Sequence, residues 1–143
     1  MSLRCAFLDT TYGTGHERFR LSPTPPGAHQ RLSWMTPGQR WALITAWNPA
    51  GERQRGPWNH VAQARLQTAA GAWPQRPALN GSGKWAEPAL LLLGLPATEA
   101  LRLGREFRQA AVVWGTGRRG ALVWIRPEGA HAERFWAVPV APT

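Results

Sequence analysis

The chain has 143 residues and a formal charge of +9, from seventeen basic and eight acidic residues. Hydrophobic residues are 43% and charged residues 17% of it, which excludes disorder. No apolar run approaches the ~20 residues that span a bilayer, and a single cysteine, Cys5, excludes a disulfide framework and a Cys-based zinc site.

A chain of this length is expected to form one domain, residues 1–143, burying roughly 68–70% of its unfolded surface without a disulfide or metal staple. Its start, Met1-Ser2-Leu3-Arg4-Cys5, has no long apolar stretch of the signal-peptide kind, which points to a cytoplasmic protein. Residues 3–8 read as a short strand, with Cys5 a small buried hydrophobe beside Ala6 and Phe7. Residues 19–21 read as a second strand. Residues 22–38 form a Pro- and Gly-rich loop, because adjacent prolines fit neither a helix nor an inner strand.

Residues 41–47 alternate as a strand, with Trp41, Leu43, Thr45 and Trp47 on one face. Asn48-Pro49-Ala50-Gly51 is a turn. Residues 59–70 read as a helix capped by Asn59, stopped at Gly71, with Ala62, Leu66 and Ala69 as an apolar stripe. Residues 74–84 read as loop. Leu90-Leu91-Leu92-Leu93 has no polar side and reads as a strand covered on both faces, one of them by helices and the other by the N-terminal segment or a second subunit. A second helix follows with Thr98 as its cap, grouping Ala100, Leu103, Gly104 and Phe107 against a sheet. Residues 110–114, 121–125 and 134–138 read as three closing strands. This order suits an α+β two-layer sandwich, a mainly antiparallel sheet with two helices, of the split βαβ plait kind.

Two glycine motifs fail on context. Gly115-Thr116-Gly117-Arg118-Arg119-Gly120 fits the dinucleotide pattern but is followed by a strand, so it reads as a hairpin turn. Gly81-Ser82-Gly83-Lys84 lacks the upstream glycine and the following Ser or Thr of a phosphate loop. His16, His29, His60 and His131 have no metal-ligand spacing, so neither a metal nor a cofactor is expected.

The basic excess suits nucleic acid or a nucleotide. Sixteen of the seventeen basic residues are Arg, a bias that a GC-rich genome would also write, though it would not make carboxylates scarce. Six or more of the nine tryptophans suit core packing. Trp58, Trp73 and Trp85 fall in predicted loops, where Trp beside Arg can stack on a base or anchor a partner protein.

Three stretches together resemble a known family: Ile44-Thr45-Ala46-Trp47-Asn48-Pro49, then Asn59 opening a helix, then Gly83-Lys84-Trp85-Ala86-Glu87 before an apolar strand. Leu103-Gly104-Arg105-Glu106-Phe107-Arg108-Gln109-Ala110-Ala111-Val112 follows, and Thr10 and Tyr12 fit less closely. The pattern, over about residues 7–124, resembles the bacterial family called domain of unknown function 3293. Ala86 and Arg108 depart from it. The resemblance implies a small cytoplasmic single-domain protein with no established activity. It singles out Asn48, Asn59, Trp85, Glu87, Arg105 and Gln109.

Two functions stay open. One is a binding or regulatory domain touching nucleic acid or nucleotide, monomeric or homodimeric and off the membrane. The other is a small hydrolase or transferase on a phosphorylated or nucleotide substrate, with Glu87 catalytic and Asn48, Asn59, Arg105 and Gln109 around it. Glu87 shares strand parity with Trp85, Ala89, Leu91 and Leu93, so a carboxylate there needs a partner from elsewhere in the chain.

Overall fold

The computed structural model describes residues 2–49 and 53–141. Among these, eight strands close into one antiparallel barrel: β1 (Tyr12–Gly13), β2 (Arg18–Ser22), β3 (Arg40–Ile44), β4 (Gln75–Asn80), β5 (Glu87–Leu93), β6 (Ala111–Thr116), β7 (Arg119–Arg126) and β8 (Gly129–Val140). Their order around the wall is β1-β2-β8-β7-β6-β3-β5-β4. Three helices accompany them: α1 (Leu3–Asp9), α2 (Gly56–Ala69) and α3 (Ala97–Glu106).

The expected two-layer α+β sandwich with two helices is thus incorrect. Alternating and all-apolar strands look alike in an open sheet and in a barrel. What distinguishes the two is whether helices or the sheet's own far wall cover the second face. Leu91 packs inside the barrel with Tyr12, Phe19, Trp41, Leu43, Val113 and Leu122, whereas Leu90 and Leu92 pack outside with Leu66, Leu95, Ala100 and Leu103. The leucine strand is covered on both faces as expected, but by helices and the opposite strands of the same chain. The interior is tight enough that the Trp41 ring lies directly on the backbone at Gly115, where a Cβ would collide with it.

Several local expectations also change. Residues 3–8 form α1, capped by Ser2 Oγ, which accepts from the Cys5 amide. Helical spacing puts Cys5 outside and exposed. Helix α2 begins three residues earlier than expected, with Arg55 at the N-cap position and Pro57 in the first turn, so Asn59 lies within the helix and Trp58 with it. Pro96 rather than Thr98 precedes α3. Trp73 packs against the outer core rather than standing free.

The segment read as loop, 74–84, contains β4. Its Pro77 is tolerated because β1 pairs only with Leu79 and Asn80, leaving the Pro77 side of β4 without a neighbour. Asn48-Pro49-Ala50-Gly51 lies partly outside the described residues. The glycine run 115–120 is the β6–β7 hairpin, with Thr116 opposite Arg119.

The barrel's thinnest joint is at β1, which meets β2 and β4 through two residue pairs each. Arg18 reinforces it. Its buried guanidinium donates to the carbonyls of Gly13, Thr14, Leu79, Thr11 and Gly81, at 2.7–3.2 Å.

Candidate functional site

One mouth of the barrel is open. Strand parity turns Tyr12, Asn80, Glu87, Ala111 and Val113 inward there. The chain leaving β3 (Thr45, Trp47, Asn48), the segment before β6 (Gln109, Ala110) and helix α1 (Leu3, Ala6, Phe7) form the rim. Together they enclose a cleft of about 290 Å³. An eight-stranded barrel has room in its mouth for one small ligand.

The irregular segment after β3 is held by α2 in place of a strand. Gln63 Oε1 accepts from the Ala46 amide at 3.0 Å, and Asn59 Oδ1 accepts from the Asn48 amide at 2.9 Å. This explains why α2 buries two polar residues, Asn59 and Gln63, on its inner face: each supplies an acceptor that a ladder would otherwise give.

Asn48 has φ +46, the left-handed conformation that asparagine tolerates better than most residues. Its Oδ1 accepts from the Gln54 amide and from Asn59 Nδ2, so its Nδ2 points the other way and donates to Glu87 Oε1 at 2.7 Å.

Glu87 is half-buried, and burial pushes its carboxyl above the ordinary carboxylate range, partly offset by the Asn48 hydrogen bond. Asn80 stands directly opposite Glu87 across the β4–β5 hairpin. Its Oδ1 is buried without a hydrogen-bond partner, and so is Trp47 Nε1. Trp85 is 70% exposed at the lip, in a short 3₁₀ turn (Gly83–Trp85), with Lys84 Nζ 5.3 Å from its ring.

Gln109 reaches the rim through the end of α3. Its amide donates to the Gly104 carbonyl and that of Arg108 to the Arg105 carbonyl, a Schellman ending with Arg108 left-handed at φ +55. Gln109 Nε2 donates to the Trp47 and Phe107 carbonyls.

Glu87, Asn48, Trp85 and Gln109 therefore line the cleft, and Asn59 supports it from behind. Arg105 lies elsewhere: its guanidinium donates to the carbonyls of Arg126 and Gly129, tying α3 to the β7–β8 turn. No Arg or Lys is among the cleft-lining residues.

Sequence reasoning missed Asn80 and the α1 wall, and noted Tyr12 only as a looser part of the family resemblance, not as a site residue. The signal for Asn80 was its place opposite Glu87, visible only once residues 75–80 are paired as a strand. Tyr12 donates its hydroxyl to the Phe7 carbonyl at 2.6 Å and so fastens α1 across the mouth. Phe7 meets Trp124 edge-on at 5.4 Å, and Arg4 pairs with Glu133 at 2.9 Å.

A family model described as Protein of unknown function (DUF3293) matches residues 44–112. Over that stretch, just under half of its length, the chain is similar to DUF3293. The matched stretch brings β3 from Ile44, α2, β4, β5, α3 and the start of β6, and so most of the polar side of the cleft, while α1 and β1 lie outside it. No curated protein and no solved structure matches the chain. None of its described helices is long and apolar enough to cross a membrane, and no group of three or more metal-ligating side chains occurs among the described residues.

Proposed function

We propose that this is a ligand-binding domain whose barrel mouth takes a small flat molecule bearing N–H donors, a nucleobase or nucleoside. The supporting observation is that, among the described residues, two of the three buried side-chain polar atoms without a partner, Trp47 Nε1 and Asn80 Oδ1, belong to residues lining this one cleft. Buried polar groups in folded proteins are otherwise nearly always satisfied. Beside them, only Glu87 Oε1 has a protein donor, leaving Oε2 to accept.

A nucleobase offers what these atoms lack: N–H donors for Asn80 and Glu87, an acceptor for Trp47, and a flat face for Trp85. The absence of a cation in the lining favours the base and sugar over the phosphate, which would sit outside near Lys84.

A second reading rests on Glu87 itself. A half-buried carboxyl with a raised pKa in a cleft is also suited to general acid or base work. Asn48 would position it, and Asn59 would position Asn48.

The test is titration of the four common nucleosides and their free bases against tryptophan fluorescence, which reports on Trp47 and Trp85 at the cleft. Saturable quenching by at least one is expected, weakened at least tenfold in Trp85→Ala and in Glu87→Gln. Ligand recovered unchanged identifies a binder, and ligand returned cleaved identifies an enzyme. No quenching and no rise in melting temperature with any of them overturns both readings.

A further inference from the structure

The outer face of the barrel along β2, β8 and the Arg119 end of β7 is not packed under a helix, whereas Ala121, Val123 and Ile125 further along β7 are covered by α3. The residues pointing outward there include Arg20 and Ser22 on β2, Arg119 on β7, and Arg134, Trp136 and Val138 on β8. They form one patch. Trp136 lies between Ser22 and Arg119, Val138 lies opposite Arg20, and Arg134 precedes Trp136 by two residues on the same face. Trp136 and Val138 join neither the barrel interior nor the helix-covered outer core.

The Arg119 guanidinium lies 4.2 Å from the Trp136 ring centroid, and that of Arg118, at the hairpin turn, 5.8 Å. Arg20, Arg119 and Arg134 are exposed, and none of the four forms a salt bridge among the described residues. No outward position of these three strands carries a carboxylate.

Four acidic residues are engaged elsewhere. Glu133 turns the other way to Arg4 and Trp124, Glu17 accepts from Ser33, and Glu99 and Glu106 pair with Arg102. Two guanidiniums at one partly exposed indole, with Arg20 and Arg134 on the same face and no counter-charge among the described residues, make a surface that lacks an anion.

We infer that this face binds nucleic acid through its phosphate backbone, independently of the barrel mouth. Arg20, Arg119 and Arg134 would each contact a phosphate. Arginine suits this because its fork engages phosphate oxygens at two points, and stacking on Trp136 holds one fork in place before binding. Contacts to phosphate carry no sequence information, so binding would be tolerant of sequence.

The experiment is a fluorescence-anisotropy titration of a labelled mixed-sequence oligonucleotide, single-stranded and as a duplex, across a salt series. The expected result is binding at low salt that weakens steeply as salt rises. The triple variant Arg20→Ala/Arg119→Ala/Arg134→Ala should flatten the log–log salt slope by about 2 on single strands, since each lost phosphate contact removes ~0.7. Arg55→Ala/Arg65→Ala/Arg76→Ala, which removes the same charge from exposed positions on the α2 and β4 side, should leave the slope nearly unchanged. Replacing the first three by Lys keeps the charge and should retain most of the slope. An unchanged melting temperature shows that each variant is folded.

No binding to either oligonucleotide at low salt overturns the proposal. So does an equal loss in the two alanine triples, which would mean that net charge alone acts. Binding to vesicles containing phosphatidylserine but not to oligonucleotides would assign the face to a membrane instead and overturn it as well. The nucleoside titration reads a different surface, so either result can fail without the other.

Discussion

Arg18 is the clearest case of a single side chain setting local architecture. It is buried without a carboxylate, and five backbone carbonyls share its positive charge. Burial lowers its pKa, yet a guanidinium starts so high that it stays charged. Arg18→Ala would remove a donor from each of those carbonyls, of which that of Thr11 keeps the Gly81 amide, at about 1–3 kcal/mol for each one left without a partner before relaxation. A loss of at least ~3 kcal/mol in urea unfolding is expected. Arg18→Lys should recover only part, because an ammonium has three donors and no fork.

Glu87 gives a prediction of opposite sign. Its folded pKa lies above the ordinary 4.5, so its contribution to stability is fully present below that pH and is lost as pH rises through the raised value. Glu87→Gln keeps an acceptor for Asn48 and removes the charge. At neutral pH the variant should be at least as stable as the parent, with the gap closing as the solution is acidified. Unfolding curves at several pH values check this. A variant less stable at neutral pH would mean that the ionised carboxylate is the form the fold prefers.

At the scale of elements, the end of α3 carries avoidable strain. Arg108 occupies the left-handed position of a Schellman motif, where glycine is usual. Arg108→Gly should stabilise by about 1 kcal/mol, raising Tm by ~3 °C. Helix α2 predicts the reverse. Asn59→Ala would leave the Asn48 amide without its acceptor and release the Asn48 side chain, at a cost of about 1–3 kcal/mol. Thermal unfolding of both variants checks the pair.

The same elements mark how far sequence reading reaches. Strands β3, β5, β6, β7 and β8 were legible because their apolar alternation or leucine content is long enough to count. The α3 wheel was legible because its apolar and charged residues separate cleanly, with Glu99 and Arg102 on the solvent side. Strand β4 was not, because Gln75, Arg76 and Pro77 look like loop and become strand only through pairing with β5. Helix α1 was not, because seven residues carry too little periodicity to separate it from a strand. Asn59 looked like a cap because its chemistry is that of a cap; its acceptor serves the neighbouring segment instead. At the site, Glu87 with Asn48 could be anticipated from the need to pair a carboxylate among leucines. Arg105 could not be placed, since its α3 face meets the β7–β8 turn only in the closed barrel.

At the scale of the whole molecule, closure makes the local joints matter. With only two residue pairs on each side of β1, the joint between β4 and β2 should open before the rest of the barrel. In hydrogen exchange, the amides of Tyr12, Gly13 and Gly81 should exchange much faster than those of Leu91 and Val113. Equal protection would mean that the barrel opens only as one unit.

The pairing of β2 with β8 has a consequence in time. Arg18 lies opposite Val140 and Ser22 opposite Trp136, so the second strand must wait for the last. During synthesis at about 5–20 residues per second, the roughly 120 residues between them take ~6–24 s to appear. For that interval β2 offers Phe19 and Leu21 and one bare strand edge to the crowded space outside the ribosome. Its outward arginine, Arg20, then acts as a gatekeeper: a charge on an unpaired edge repels a like edge on a neighbouring nascent chain until β8 arrives.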